Sequence, residues 1–273
     1  MPTACRHYDG PIVVACGGGI NSAAVLVQFA RIGQRVDLIT FSDTKGEKPE
    51  TYRFLDALDD YMCGEGYPSI TRVRAESPNP DRGFEGLEGM CLRLENLPSK
   101  VFGMKSCSQR YKIEPQQKFL NHWPPAQEVW NSGGKILQVI GYDAGEPQRA
   151  KRAKTFTNTK SDFWYPLIEW GWERDECINC IRQASLLLPI KSACFFCPSM
   201  RKPEVIALSI EHPDLFERAI RMERQALAGG KVRVKGLGRH WSWEELVTNS
   251  KMAQDALPEV SCEIDCACFD GEQ

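Results

Sequence analysis

The sequence has few of the features that would place it in a membrane or on a polyanion. It contains no run of about 18 apolar residues, so it offers no candidate for a hydrophobic membrane-spanning helix. Its formal net charge is only -2, and no overall field draws the chain to nucleic acid or to an anionic membrane. The first eleven residues hold no apolar segment typical of a signal peptide. We therefore expect a cytoplasmic protein without a membrane partner.

Histidine is scarce as well, whereas cysteine is abundant. The four histidines form no i, i+4 pair typical of a metal site and no arrangement of nucleophile and base, so we interpret them as structural. Twelve cysteines in 273 residues, without a signal segment, favour metal binding or redox chemistry over a disulfide framework. The isolated residues Cys5, Cys63 and Cys91 are interpreted as ordinary small side chains.

Strand-like and helical patterns alternate through the first half of the chain. Such alternation predicts parallel strands joined by crossover helices, which is a doubly wound α/β sheet. From about Asp143 the sequence becomes basic and aromatic, and paired cysteines and further helical runs follow. The predicted strands are 12–16, 36–41, 70–73 and 135–140, and the predicted helices are 21–32, 49–62, 114–120, 203–228 and 241–254.

A glycine turn joins the first predicted strand to the first predicted helix. Gly17, Gly18 and Gly19 allow backbone N–H groups to approach an anion, and Asn21 and Ser22 open the helix that follows. The turn lacks the lysine of a Walker A loop and the third glycine of a dinucleotide fingerprint, although Asp43 lies where a ribose-binding acid would stand. The turn therefore predicts a phosphate site of another kind.

Short polar segments follow two other predicted strands. Ser42 and Asp43 come after the second strand, and Gly141 and Tyr142 after the fourth. Because ligands of open parallel sheets bind at the carboxyl ends of the strands, we expect these residues and the glycine turn to line one pocket.

The glycine turn resembles the PP-loop, Ser-Gly-Gly-x-Asp-Ser, with glycine and asparagine in place of the first serine and the aspartate. Four later segments resemble the phosphoadenylyl-sulfate reductase branch of the PP-loop superfamily and its sulfurtransferase relatives, including those of DNA phosphorothioation. In the reductases they read Thr-Gly-x-x-Phe-Pro-Glu-Thr, Cys-x-x-Arg-Lys-x-x-Pro, Gly-x-Arg-x-x-Glu-Ser-x-x-Arg and Pro-Leu-x-x-Trp. Their counterparts here are residues 43–51, 107–115, 141–150 and 165–170, with Tyr142 in place of the first arginine of the third.

The resemblance implies an adenine nucleotide alpha-hydrolase-like fold with a mostly parallel five-stranded sheet. It implies a nucleotide-binding domain over residues 1–170 and a helical, cysteine-bearing region over 171–273. The implied enzyme either reduces adenylyl sulfate or phosphoadenylyl sulfate to sulfite, or uses ATP, with release of pyrophosphate, to activate an acceptor for sulfur transfer. The implied partners are a thiol or sulfur-donor protein and a nucleic-acid acceptor, and the chain could form a homodimer. A non-catalytic nucleotide-binding or redox-sensing protein is the alternative.

Four basic residues near the later motifs are candidates for binding the phosphates or sulfate of the nucleotide. Arginine contacts such groups through a bidentate fork, and lysine contacts them as a point charge. The candidates are Arg110, Lys112, Arg149 and Arg152, with Arg149 also a candidate catalytic residue.

Two pairs of cysteines have the spacing of metal ligands. Taken alone, Cys177 and Cys180 with Cys194 and Cys197 suit a structural zinc ion. The iron-sulfur members that the chain resembles instead combine a cysteine before the Arg-Lys-Pro segment with a distant CxxC pair. That resemblance implies a 4Fe-4S cluster on Cys107, Cys194 and Cys197, with Cys177 as the fourth ligand and Cys180 as its replacement.

The last twelve residues contain three more cysteines. The reductases end in a segment whose thiol attacks the sulfate sulfur, and the position of Cys266 and Cys268 resembles it. A mobile terminal thiol could carry sulfur into the pocket. We therefore treat Cys266 and Cys268 as candidate catalytic residues.

Overall fold

The computed structural model describes residues 5–76, 85–98, 100–101, 104–148, 151 and 158–255. Five parallel strands form the central sheet: β1 (Ile12–Cys16), β2 (Leu38–Ser42), β3 (Ile70–Val73), β6 (Ile136–Ile140) and β7 (Ser161–Trp164). Their order across the sheet is β3-β2-β1-β6-β7. Val14 pairs with Ile39 on one side and Val139 on the other, so the strand order reverses beside β1. The predicted α/β class and parallel five-stranded sheet are confirmed.

The helices are α1 (Ile20–Ile32), α2 (Pro49–Gly64), α3 (Gly86–Leu94), α4 (Ser106–Ser108), α5 (Glu114–His122), α6 (Pro124–Asn131), α7 (Pro166–Glu169), α8 (Arg174–Gln183), α9 (Lys202–Glu211), α10 (Pro213–Ala228) and α11 (Trp243–Asp255). A π-helical turn, Gln109–Ile113, joins α4 to α5, and a two-stranded hairpin precedes it, formed by β4 (Lys100–Val101) and β5 (Met104–Lys105). None of these described helices is long and apolar enough to cross a bilayer.

The sheet is covered on both faces, as its alternating side chains require. Residues 12, 14 and 16 of β1 belong to a core built with α1, α2 and α8, whereas Val13 packs in a separate cluster with Leu120 and Ala126 of α5 and α6. A third cluster holds α3, α9, α10 and α11 together. The run 203–228, predicted as continuous, is divided into α9 and α10 at His212, because a proline follows and disfavours helical geometry in the residue before it.

Helix α8 packs against α1 and not with the helices that follow it. Cys177, Cys180 and Ile181 of α8 are buried in the same core as Ala24 and Phe29 of α1. The predicted cysteine-bearing region is thus divided between two cores. The CxxC turn at Cys194 belongs to the third cluster, with α3 and α9 to α11.

Candidate functional site

The glycine turn is held by its own serine. The Gly17 N–H donates to Ser22 Oγ at 3.0 Å, and that hydroxyl donates to the Gly19 carbonyl oxygen at 3.2 Å. Gly18 has φ +69°, and a Cβ there would meet the Thr51 side chain at 3.2 Å. The conformation of the turn therefore requires glycine at position 18, and the Ser22 hydroxyl is engaged within the turn.

The end of β6 lies directly against the start of α1. A Cβ on Gly141 would lie 3.0 Å from the backbone of Asn21 and Ser22. The Asn21 amide donates to Asp143 Oδ2 at 2.8 Å, while its own Oδ1 is buried and accepts no hydrogen bond from the described residues. The structure thus brings together the predicted residues at the end of β6 and the glycine turn, whereas Ser42 and Asp43 do not line this cleft. It leaves one buried acceptor there for a donor from a ligand.

A cleft of about 480 Å³ opens at this junction. Six of its lining residues were predicted from the sequence: Gly17, Gly19, Asn21 and Ser22 in the glycine turn, and Gly141 and Tyr142 at the end of β6. Arg174, Lys191 and Ser192 also line the cleft and were not predicted. Arg174 opens α8, and Lys191 and Ser192 precede the CxxC pair. Because these residues are far from the glycine turn in sequence, no local pattern indicated that they lie beside it. The cleft also contains the carboxylates of Asp143 and Glu146, so it combines charges of both signs.

Tyr142 replaces the arginine of the motif and makes an aromatic contact. Its ring stacks on Tyr165, with centroids 5.6 Å apart and planes at 10°. Burial raises the pKa of Tyr165 to about 12, with a smaller contribution from Tyr142. The stacked pair places a flat aromatic surface, rather than a cation, at this wall of the cleft.

Ser42 and Asp43 make internal contacts. Ser42 Oγ donates to the Lys112 carbonyl oxygen at 2.7 Å, which fastens the π-helical turn to β2. The buried Asp43 carboxylate accepts hydrogen bonds from Tyr52 and from the Lys45 N–H, and it pairs with Arg74 at 2.8 Å. These contacts shape the loop after β2. A role of either residue in binding the nucleotide stays a prediction.

The loop after β2 lies against the CxxC turn. Thr44 Oγ1 is 3.0 Å from Cys194 Sγ, and the Phe195 N–H donates to the Gly46 carbonyl oxygen at 2.7 Å. A Cβ on Gly46 would lie 2.8 Å from the Phe196 ring. The motif at residues 43–51 therefore packs against the CxxC pair, although the two segments are about 150 residues apart in sequence.

Four cysteines share the third hydrophobic cluster. Cys91 and Cys194 are buried in it, and the partly buried Cys107 and Cys197 pack against it. Burial raises the pKa of Cys91 to about 12, with further contributions from Cys107 and Cys194. Cys91, which the sequence analysis interpreted as an ordinary side chain, is therefore a neighbour of the predicted ligands.

Cys177 and Cys180 lie elsewhere. Both are buried between α8 and α1, and Cys180 Sγ contacts the Ala24 carbonyl oxygen at 3.7 Å. Burial raises the pKa of Cys177 to about 12 and that of Cys180 to about 11. The structure does not bring Cys177 into the cluster of the other three predicted ligands, because α8 belongs to the core around the sheet.

The buried carboxylate of Glu47 lies between the thiols and the cleft, because its Oε2 is 3.2 Å from Ser192 Oγ. The Glu47 side chain is fully buried, and its Oε1 lies 3.5 Å from Lys112 Nζ. Burial lowers the pKa of Lys112, but Glu47 and the nearby Cys194 outweigh this effect and leave the pKa above its usual value. Burial and Glu47 raise the pKa of Cys194 to about 12, against the opposing effect of Lys112. Without a bound metal, Cys194 is therefore a neutral thiol at pH 7.

Among the described residues, no three His, Cys, Asp or Glu side chains converge closely enough to bind a metal ion as they stand. The donor set nevertheless suits one, because four thiols lie in one apolar cluster and Lys112 stands near two of them. Arg110 is exposed on the π-helical turn. The predicted residues Arg149, Arg152, Cys266 and Cys268 lie outside the described residues.

Comparisons with known proteins give distant similarities. No family model matches the chain. The chain is 24% identical to an uncharacterized protein of Methanocaldococcus jannaschii, over 86% of this chain and 46% of that protein, so it spans about half the length of this curated relative.

The solved structures similar to the chain include the two that follow. A phosphoadenylyl-sulfate reductase from Candida auris matches at 12% identity and TM-score 0.39, over 66% of this chain and 75% of its own. The U34-tRNA thiolase NcsA from Methanococcus maripaludis, with its [4Fe-4S] cluster, matches at 14% identity and TM-score 0.42, over 88% and 81%. At these scores the likeness supports no function, and the site must be interpreted from its own residues.

Proposed function

We propose that the chain is an ATP-dependent enzyme of the PP-loop kind that activates an acceptor for sulfur transfer. One observation carries the proposal: Ser192, two residues before Cys194, donates a 2.7 Å hydrogen bond to the Gly17 carbonyl oxygen. Through this contact a phosphate-binding turn and a group of thiols become adjacent. Neither a nucleotide-binding module nor a structural metal site requires that proximity.

The start of α1 is suited to the phosphates. Gly19 caps this 13-residue helix without a side-chain hydrogen bond, and the first turn contains no acidic residue. Its unpaired N–H groups and positive dipole end therefore face the cleft and favour an anion. Lys191 and Arg174 stand at the same cleft and would offset the charge of a polyphosphate.

The Asp143 carboxylate favours ATP over a sulfonucleotide. It lines the cleft beside the glycine turn, and a bare polyanion next to it would be repelled. Mg²⁺ removes this conflict because it binds carboxylates together with substrate phosphates. ATP binds as its Mg²⁺ complex, whereas a sulfonucleotide has no triphosphate chain to coordinate the ion.

The reaction that fits this arrangement has two steps. An acceptor oxygen attacks the α-phosphorus of ATP, the bond to the β-bridging oxygen breaks, and pyrophosphate leaves. A sulfur donor at the oxidation level of sulfide then attacks the acceptor carbon that carries the adenylated oxygen. AMP leaves and takes that oxygen with it. The two steps need no oxidant or reductant. The amides of the glycine turn and the cations of the cleft would stabilise the charge that develops on the phosphates.

The thiols would hold a 4Fe-4S cluster, with zinc as the alternative. The geometry supports Cys107, Cys194 and Cys197 as ligands, as the motifs imply, and it favours Cys91 over Cys177 as the fourth. The Leu87 N–H of α3 donates to the Thr44 carbonyl oxygen at 3.1 Å, and the Thr44 hydroxyl contacts Cys194. Cys91 lies one helical turn after Leu87, on the same face of α3. A bound cluster would supply an iron site for sulfide sulfur.

Sulfonucleotide reduction is the second candidate, because residues 43–51 and 107–115 resemble the motifs of the reductases. One experiment separates the two functions. Anaerobically purified, cluster-loaded protein is given either Mg-ATP with a sulfide donor and candidate acceptors, or adenylyl and phosphoadenylyl sulfates with a thiol reductant. Release of pyrophosphate and AMP supports the proposal, and release of sulfite supports the reductase. Tight nucleotide binding without either product would indicate a non-catalytic nucleotide-binding protein.

A further inference from the structure

The segment between α10 and α11 concentrates positive charge. Residues 229–243 contain four Lys and Arg residues and no Asp or Glu, although the chain as a whole has a net charge of -2. We call residues 231–241 the basic loop. Arg233, Lys235 and Arg239 have no ion-pair partner among the described residues, whereas Lys231 pairs with Glu95 at 2.8 Å. The loop therefore presents three cations that no carboxylate in the described part of the chain neutralises.

The loop has a defined shape. The Lys235 N–H donates to the Arg239 carbonyl oxygen, and the Arg239 N–H donates to the Gly236 carbonyl oxygen, both at 2.9 Å. A Cβ on Gly238 would lie 2.3 Å from the Trp241 ring, so the turn packs tightly on that indole. Glu223, fully buried beneath it, accepts hydrogen bonds from the Leu237 and Trp243 N–H groups. The cations are thus displayed on an ordered support.

A chain of contacts leads from the loop to the cleft. Lys202 Nζ lies 5.9 Å from the centroid of the Trp241 ring, and the preceding residue, Arg201, pairs with Glu204 at 3.2 Å. Glu204 also pairs at 2.8 Å with Lys191, which lines the cleft. These contacts connect the basic loop with the edge of the cleft, and Lys202 adds a cation beside the loop.

Another basic surface on the molecule is less suitable. A groove of about 810 Å³ beside β3 is lined by Arg72, Arg74 and Lys118. Each of these is paired with an acid, Arg72 with Asp56, Arg74 with the buried Asp43, and Lys118 with Glu76. Since these carboxylates already offset the three positive charges, the groove offers little attraction for phosphates.

We propose that the basic loop binds the phosphodiester backbone of an unpaired nucleic-acid strand and presents it to the cleft. An unpaired strand is favoured over a duplex because the cations lie on a loop and not on a helix that could enter a major groove. Arginine and lysine supply the backbone contacts, and the partly exposed Trp241 and His240 offer rings on which an unpaired base could stack. The inference rests on the proposed function in one respect, which is that the bound strand is the acceptor of the transferred sulfur.

The test measures binding of a fluorescent 12-nucleotide single-stranded RNA, and the DNA of the same sequence, by anisotropy at several salt concentrations. The loop variant is Arg233→Gln with Lys235→Gln and Arg239→Gln. We expect its affinity to fall about tenfold or more and its salt slope to decrease by about 2, since each phosphate contact contributes about 0.7. The matched control makes the same change in charge at Lys135, Lys160 and Arg182, outside the loop and the cleft, and should bind like the unaltered protein.

Equal losses in the two triple variants, or tighter binding of a DNA duplex than of either single strand, would overturn the proposal. Loop-dependent binding to vesicles of anionic lipid without binding to either oligonucleotide would overturn it in favour of a membrane. Mg-ATP affinity, measured in the same variants, should not change and reports that they are folded. Loop-dependent strand binding in a protein that fails to bind Mg-ATP would refute the proposed function alone, and normal ATP binding without strand binding would refute this inference alone.

Discussion

Ser192 donates a 2.7 Å hydrogen bond to the Gly17 carbonyl oxygen, across 175 residues of sequence. The same hydroxyl oxygen lies 3.2 Å from Glu47 Oε2, and Glu47 is the buried partner of Lys112. One side chain thus contacts both the glycine turn and the carboxylate beside the thiols. The position of the glycine turn relative to Cys194 depends on this contact.

Replacement of Ser192 by alanine should weaken nucleotide binding without unfolding the protein. The loss of one hydrogen bond to the turn costs about 1 kcal/mol, which corresponds to roughly fivefold weaker Mg-ATP binding by titration calorimetry. Ser209→Ala is the control, because Ser209 donates to the Ile206 carbonyl oxygen within α9. Unchanged affinity in Ser192→Ala would show that the contact does not position the turn.

A methyl group at Gly141 should disturb the junction of β6 and α1. The added Cβ would lie 3.0 Å from two backbone atoms that cannot rotate away, so we expect Gly141→Ala to lower the free energy of unfolding by about 1 to 3 kcal/mol. Mg-ATP affinity should fall as well, because Asn21 and Ser22 move.

The matched control for that change is Gly64→Ala, since a Cβ at this last residue of α2 meets nothing within 4 Å. Urea unfolding and calorimetry on both variants provide the measurement. Equal stability and affinity in the two variants would contradict the tight approach of β6 to α1.

Cys91 and Cys177 form a matched pair of substitutions for the cluster. Both are buried, and alanine leaves a small cavity at each, yet only Cys91 shares a hydrophobic cluster with Cys107 and Cys194. After anaerobic reconstitution, Cys91→Ala should contain less iron and sulfide per chain and give a changed EPR spectrum, while Cys177→Ala matches the unaltered protein. The reverse result would restore Cys177 as the fourth ligand, and a colourless one-zinc protein would exclude the cluster.

Glu204 should make the free energy of unfolding depend on pH in the acid range. Burial raises the pKa of Glu204, but hydrogen bonds from Lys191 and from the Arg201 N–H outweigh this effect and lower it to about 2. A carboxylate whose pKa is lower in the folded state stabilises above its unfolded pKa, near 4.5, and that contribution is lost as pH falls toward 2.

Glu204→Gln should therefore be less stable than the unaltered protein by about 1 to 3 kcal/mol at pH 6.5, and the difference should shrink between about pH 4.5 and pH 3. Urea unfolding across this range measures it. Glu217→Gln removes an exposed carboxylate with a 3.5 Å contact to Arg224 and should show little difference at any pH. A difference in stability between Glu204→Gln and the unaltered protein that stays constant with pH would argue against the Lys191 and Arg201 contacts.

The regular elements around β1 could be predicted because their signals are local. Strand-length apolar runs at 12–16, 36–41, 70–73 and 135–140 predicted four of the five parallel strands within two residues at each end. No pattern located β7, since Ser161–Trp164 is short and half polar. Its partner β6, and not its own sequence, decides that it is a strand.

The glycine turn and the strand-end residues at 141 and 142 were predictable, because a parallel sheet brings its carboxyl ends to one edge whatever the details of packing. Ser192, Lys191 and Arg174 were not, since no local pattern distinguishes a lining residue contributed from 150 residues away. The grouping of the cysteines was not predictable for the same reason. The resemblance implied Cys177 as the fourth cluster ligand, but helix packing places Cys177 against α1, whereas Cys91 shares a hydrophobic cluster with Cys194.

By itself the sequence determined the parallel α/β sheet, the glycine turn between β1 and α1 and the presence of cysteine pairs with the spacing of metal ligands, because each follows from periodicity, glycine content or residue chemistry along a short segment. Only the tertiary structure decided which cysteines are neighbours, which cations face the cleft and how the CxxC turn meets the glycine turn. Those relationships depend on contacts between distant segments, and such contacts are set by the packing of whole helices and not by any local pattern.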